Sequence, residues 1–140
     1  MWDGAYALGR ALTTVVFIVA GIPKLMDPTG ILGSAGTKAF WALVGSGAPP
    51  TWLGYLIGAV EVVGGLMVLV GYKTRCAALV LAAFTVATIA FAHNWWAMDG
   101  AARAGNLVQA NKNLAIIGAL LMIAAIGAGR YSVDDRNSGT

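Results

Sequence analysis

The chain has 140 residues, of which 59% are hydrophobic and 11% charged, and its net charge is +3. An ordinary soluble domain is roughly 45–50% apolar and about 25% charged, so a water-soluble bundle of this composition is excluded. The basic residues are scattered near the ends of apolar segments and form no stripe, which argues against a nucleic-acid binder, and the lone Cys76 excludes an intrachain disulfide or a two-thiol relay.

The first apolar segment covers residues 6–22 and is expected to end at Pro23, with Pro28 just beyond. Residues 1–9 carry Asp3 and no Lys or Arg, and no convincing small-x-small cleavage site follows the segment, so it reads as a retained helix and not a signal peptide. A long connection over 23–51 follows. Within it, residues 37–44 (TKAFWALV) read as a short amphipathic helix in the membrane interface, anchored by Phe40 and Trp41. The second span covers 52–70, opened by Pro49, Pro50 and the cap candidate Thr51. After a tight turn over 71–75, the third covers 76–92. A second long loop, 94–112, leads to the fourth span over 113–128, and the polar tail after Gly129 reads as frayed.

Each span is roughly 16–20 residues, near the lower limit for crossing the hydrocarbon. No segment alternates with the period of two that a membrane strand requires. The expectation is a single all-α transmembrane domain over 1–140, an integral four-helix bundle with a short interfacial helix in its first loop. Four spans place Trp41, Trp52, Trp95 and Trp96 at one membrane face, and Trp2, Tyr6, Tyr72 and Tyr131 at the other, as two aromatic belts. The dense Lys73/Arg75 turn favours the cytoplasm for the face that carries both termini.

Two charges, Arg10 and Glu61, fall inside apolar spans. An unpaired charge near the bilayer centre costs at least ~2.5–3.5 kcal/mol, so the two are expected to pair between the first two helices. The faces around them support close packing. Gly54, Gly58, Glu61 and Gly65 share one side of the second helix, and Arg10, Thr14, Phe17 and Gly21 one side of the first. Such a pair either holds helix register or forms a polar centre that binds a ligand or moves a proton.

A second cluster is expected at the Trp-rich face, where Lys24, His93, Lys112, Asn111 and Asn113 end or open spans beside Trp95 and Trp96. These groups can hold a quinone carbonyl, a lipid phosphate or a carboxylate, with the indole rings stacking on a ligand, or they simply anchor helix ends. One His and one Cys cannot build a closed metal site. A lone His offers at most one axial ligand to haem. No phosphate-binding loop or serine-nucleophile motif occurs.

Several short motifs recur in a familiar order. They are Gly9-Arg10 with Phe17 and Ala20-Gly21-x-x-Lys24, Glu61-x-x-Gly64-Gly65-Leu66, and Gly71-x-x-Thr74-Arg75-x-Ala77-Ala78. His93 follows, then Lys112-Asn113-Leu114-x-x-x-Gly118 and Gly127-x-Gly129. In these motifs the chain resembles the DoxX family of small bacterial membrane proteins, over about residues 5–135. The resemblance implies a four-helix membrane bundle in the bacterial inner membrane and makes Arg10, Lys24, Glu61, His93 and Lys112 the site candidates. A related branch, DoxD, is a membrane subunit of a thiosulfate:quinone oxidoreductase, and other members are linked to oxidative-stress handling. The implied role is therefore a subunit supporting redox or respiratory chemistry beside a quinone or bound lipid, in contact with membrane lipids and with other membrane subunits or a second copy. The alternatives are a non-catalytic accessory subunit and a small transporter or proton path through Glu61. The absence of evident inverted repeats weighs against the transporter.

Overall fold

The computed structural model describes residues 2–45 and 47–138, and no strand occurs among them. Four long helices are apolar enough to cross a membrane. They are α1 (Asp3–Met26), α4 (Thr51–Val70), α5 (Thr74–Phe91) and α6 (Gly100–Ile126). Two short helices, α2 (Thr29–Leu32) and α3 (Ala35–Val44), fill the first connection, a 3-10 turn at Trp95–Ala97 precedes α6, and α7 (Val133–Ser138) forms the tail. At ~1.5 Å per residue, the 20 residues of α4 and the 18 of α5 match a hydrocarbon layer of ~30 Å.

The helices form two pairs. α1 packs chiefly on α4, α6 on α5, and the pairs meet along α4 and α5. The α1–α4 contact uses the two faces legible in the sequence, since Arg10, Thr14, Phe17 and Gly21 are the buried residues of α1 and Gly54, Gly58, Glu61 and Gly65 are buried on α4. A methyl group on Gly21 would lie 2.7 Å from Val62, and one on Gly58 would lie 3.0 Å from the Gly21 carbonyl. These glycines let the backbones approach as close as the small-residue motif permits. Gly64 likewise receives Leu81 of α5, whose side chain would be 2.9 Å from an added methyl. The solid core of Phe17, Val68, Ala78, Leu81, Leu120 and Ile123 fills the half of the bundle nearest the α4–α5 turn. The outer faces stay apolar and open, with Leu12 and Val19 on α1, Val80 on α5 and Met122 on α6 all exposed; these are the surfaces that meet lipid.

Five expectations are corrected. α1 runs through Pro23 to Met26. A proline forfeits its own N–H bond and crowds the carbonyl one turn back, but the helix tolerates it here, and the Asp27 amide still closes on the Pro23 carbonyl at 2.8 Å. Pro50, not Thr51, is the N-cap of α4, and no side-chain cap bond forms there. The interfacial helix starts two residues early, because Ser34 Oγ accepts from the Thr37 amide and caps it. The loop over 94–112 is mostly helix: α6 begins at Gly100, since hydropathy marks the membrane-embedded part of a helix and not its extent, while Ala101, Ala102 and Ala104 favour the helix without being in lipid. The tail, finally, is folded as α7 and not frayed.

The tail is held because α5 lacks a cap of its own. Lys73, its N-cap residue, has φ 45° and offers no side-chain bond. Asp134 takes the role, accepting from the Lys73 amide at 2.8 Å and from the Thr74 amide and hydroxyl at 2.9 Å each. Partial burial pushes the Asp134 carboxyl up, but the bonds from Thr74 and Lys73, with the Arg10 charge, hold it below the usual carboxylate range. A carboxyl that titrates lower in the folded state contributes its full stability above the unfolded pKa, ~3.9, and loses it as pH falls through the folded value. Asp134→Ala should therefore cost about 1 kcal/mol at neutral pH, as the loss of a helix cap does. The deficit, read from thermal melts followed by circular dichroism in detergent, should shrink as both proteins are acidified toward pH 3. An equal deficit at pH 3 and pH 7 would assign the effect to something other than this carboxylate.

Candidate functional site

The two intramembrane charges do not meet. Arg10 is 3% exposed and lies opposite the end of α4. Its guanidinium donates to the carbonyls of Ala128, Leu69 (3.4 Å) and Tyr131 (2.6 Å). Gly21, eleven residues on, is the α1 residue that faces Glu61: a methyl added there would lie 2.9 Å from Glu61 Cβ. Leu69 and Glu61 are eight residues apart on α4, about 12 Å along the axis. Helical side chains also lean toward their own N-terminus, so Arg10 leans away from Glu61.

The same lean brings Lys24 back onto Glu61. Lys24 Nζ donates to Oε1 at 2.7 Å and to Oε2 at 2.5 Å, with the two side chains 20% and 7% exposed. The pair that replaces Arg10–Glu61 is thus Lys24–Glu61. It exists because α1 continues past Pro23 for a further turn. Arg10 is held differently, by the Leu69 carbonyl where α4 ends, a place that favours a cation, and by the Ala128 and Tyr131 carbonyls beyond α6, while its Nε has no partner among the described residues. Arg75 does the same for α6, donating to the carbonyls of Ala124, Ala125 and Ile126.

The Lys24–Glu61 pair ends a cavity of about 220 Å³ on the Trp-rich side of the bundle. Its walls come from α1, α2, α3, α4 and α5. Apolar groups dominate them, including Leu53, Ile57, Phe40, Phe84 and Phe91, and the hydroxyl-bearing Thr37 and Thr88 stand among them. The antiparallel register fixes its depth. Gly64 faces Leu81, so Glu61 stands level with Phe84, Ile57 with Thr88, and Leu53 with Ala92. The cavity therefore runs from mid-membrane toward the Trp-side surface, with its charged end deepest. Lys24 keeps one ammonium proton beyond the two given to Glu61, and the Thr37 hydroxyl, which accepts from Ser34 at 3.0 Å, keeps its own.

Of the residues expected at the Trp-rich face, Lys24 lines this cavity and His93, Trp95, Trp96, Lys112 and Asn113 do not. His93 Nδ1 lies 3.0 Å from Asn106 Oδ1, which ties the end of α5 to α6. Trp95 receives the Arg103 guanidinium over its ring at 5.5 Å, and Trp96 is 55% exposed. Lys112 and Asn111 are exposed and Asn113 half-buried on α6, a helix that contributes nothing to the cavity. The reason is α6 itself, which packs chiefly on α5 and joins the core through Leu120 and Ile123, in the half of the bundle away from the cavity. Thr37, Phe40, Phe84, Thr88 and Phe91 were missed as site residues. The α4–α5 register sets Phe84, Thr88 and Phe91 beside Glu61 and Ile57, and the packing of α3 on α5 adds Thr37 and Phe40, neither of which is legible in one segment alone.

The DoxX family profile matches residues 5–94, a stretch that contains all the cavity-lining residues. The chain is 33% identical to inner membrane protein YphA of Escherichia coli (strain K12) over 130 residues, which cover 92% of this chain and 87% of that one. It is 35% identical to inner membrane protein YqjF of the same organism over 132 residues, covering 94% and 91%. It is also 30% identical, over 80 residues covering 57% and 53%, to CatD of Bacillus subtilis (strain 168), a protein named provisionally as an oxidoreductase. No solved structure matches the chain.

The ion pair makes a definite demand on variants. Lys24→Met leaves a buried carboxylate unpaired and should destabilise the protein by ~3–5 kcal/mol, whereas Lys24→Met with Glu61→Leu should recover most of that loss. Denaturant unfolding in micelles measures both. A double variant as unstable as the single one would mean that the charges are not paired in the folded protein.

Proposed function

This chain belongs to the DoxX family and is a multi-pass protein of the bacterial inner membrane, and from that premise we propose that it is a membrane subunit holding a quinone head group in the cavity above Lys24 and Glu61. The observation that carries the reading is the cavity's polarity. A membrane lipid keeps its charged head at the surface and its chains inside. Here the charged end lies at mid-depth, and the walls toward the surface carry no charge, only apolar groups and the Thr37 and Thr88 hydroxyls. A phospholipid head at that depth would have to leave water entirely. A neutral ring with carbonyls does not. The free ammonium proton of Lys24 suits a quinone carbonyl, and the Glu61 carboxylate suits the hydroxyl of the reduced form. At about 220 Å³ the cavity lies below the ~300–1,000 Å³ of pockets for drug-sized ligands, so it suits a single head group with its tail outside. Bound lipid belongs instead on the open apolar outer faces.

In this reading electrons reach the quinone from a partner subunit, because the sequence has no redox-cofactor motif of its own. The accessory-subunit alternative draws on α6, whose polar N-terminal part extends past the end of α5, beside which Asn106 sits. The start of α1 and the end of α6 lie together at one end of the bundle, since Tyr6 donates to the Gly127 carbonyl at 2.5 Å. The dense Lys73/Arg75 turn lies at that end too, which favours the cytoplasm for it.

Two measurements test these statements. Titration of 2-methyl-1,4-naphthoquinone into the protein in nanodiscs, followed by tryptophan quenching, should saturate. The charge-free Lys24→Met/Glu61→Leu protein should bind at least about tenfold more weakly, ~1.4 kcal/mol. Equal binding by both, or none by the folded wild type, would leave the accessory-subunit reading in its place. For orientation, a cysteine at Ala101 in a Cys76→Ser background should be labelled from outside intact cells by a membrane-impermeant maleimide, and one at Arg136 should not. The reverse pattern would turn the protein over.

A further inference from the structure

We propose that α3 is a lid, and that the cavity is entered from the interfacial layer beneath it when α3 swings away; its use by a quinone rests on the reading above. Of the cavity walls, α1, α4 and α5 are locked together by glycine contacts and cannot part without breaking the core. α3 is attached differently. Among the described residues it makes no hydrogen bond or ion pair to another long helix. It rests on α5 through Gly36, where an added methyl would run into the Phe91 carbonyl and the Ala92 α-carbon, and through Phe40, whose ring centroid lies 4.4 Å from that of Phe91. Trp41 adds an edge contact to Trp52 at 6.4 Å.

Its ends are built to pivot. Gly33 precedes its cap, Gly45 follows it, and Gly47 has φ 78°, a region that only glycine enters without strain. Ser34 caps the helix from within, so α3 can move as a unit. A segment held by a few apolar contacts at the membrane surface opens at far lower free energy than the bundle unfolds. Closing it brings Thr37 and Phe40 onto the cavity, and so completes the site.

The test needs no quinone, so its failure is distinct from failure of the quinone reading. Thr88 lines the cavity under α3. With Cys76→Ser and Thr88→Cys, the rate of modification by methyl methanethiosulfonate in nanodiscs reports access. Phe40→Ala removes the latch ring. Gly36→Ala drives the lid off the Phe91 carbonyl without altering the cavity wall. Both should raise the rate several-fold, while a cysteine at the lipid-facing Leu79 should react at an unchanged rate. Hydrogen exchange should show residues 35–44 opening together and faster than α4 and α5. Equal rates at position 88 in all lid variants, a parallel rise at position 79, or α3 amides as protected as those of α4 would each overturn the lid.

Discussion

Glu61 stands ten residues after Thr51 and nine before Val70, at the middle of a helix that crosses the membrane. A carboxylate at that depth needs a cation within hydrogen-bond reach, because neither water nor lipid will stabilise it there. Lys24 meets that need, and much of the architecture follows from how it gets there. α1 must continue past Pro23, the side chain must lean back along the helix, and α1 and α4 must approach closely enough for the pair to be shielded. The glycine faces of Gly21, Gly54, Gly58 and Gly65 permit that approach. The ion pair and the glycine seam are thus one device seen from two sides.

The bundle is divided at the level of this pair. On the side of the termini the interior is a packed apolar core, and two arginines there serve backbone carbonyls. Arg10 and Arg75 gather the carbonyl ends of α4 and α6, where the helix dipoles favour positive charge. Asp134 supplies the opposite sign at the start of α5. On the Trp side the helices enclose space. Charge on one side closes helix ends, and on the other it forms the end of a cavity.

This division bears on what the family match means. The matched residues 5–94 include both walls of the glycine seam, the ion pair and the lid, but not α6. α6 packs chiefly on α5, adds Leu120 and Ile123 to the core, and carries a polar stretch past the end of α5. The Escherichia coli relatives align along nearly the whole length, so the similarity extends beyond residue 94 into α6. A hollow, membrane-facing site with a polar inner end is suited to a ligand that already resides in the bilayer.

Composition and periodicity determined a great deal. The membrane location, the four spans and the facing glycine surfaces were legible because each depends on residues near one another along the chain, repeating at the helical period. The family was legible because its motifs are local too. Lys24, Glu61, Arg10 and His93 were recognisable as costly or unusual residues for the same reason. Only the tertiary structure decided which of them meet. The partner of Glu61 depends on a register between antiparallel helices and on the direction in which side chains lean, and a shift of eight residues along α4 separates Arg10's partners from Lys24's. The extent of α6 escaped hydropathy because a helix does not end where the membrane does. The cavity escaped it altogether, since Phe40, Phe84 and Thr88 are ordinary residues on their own helices, and the space between them is a property of packing alone.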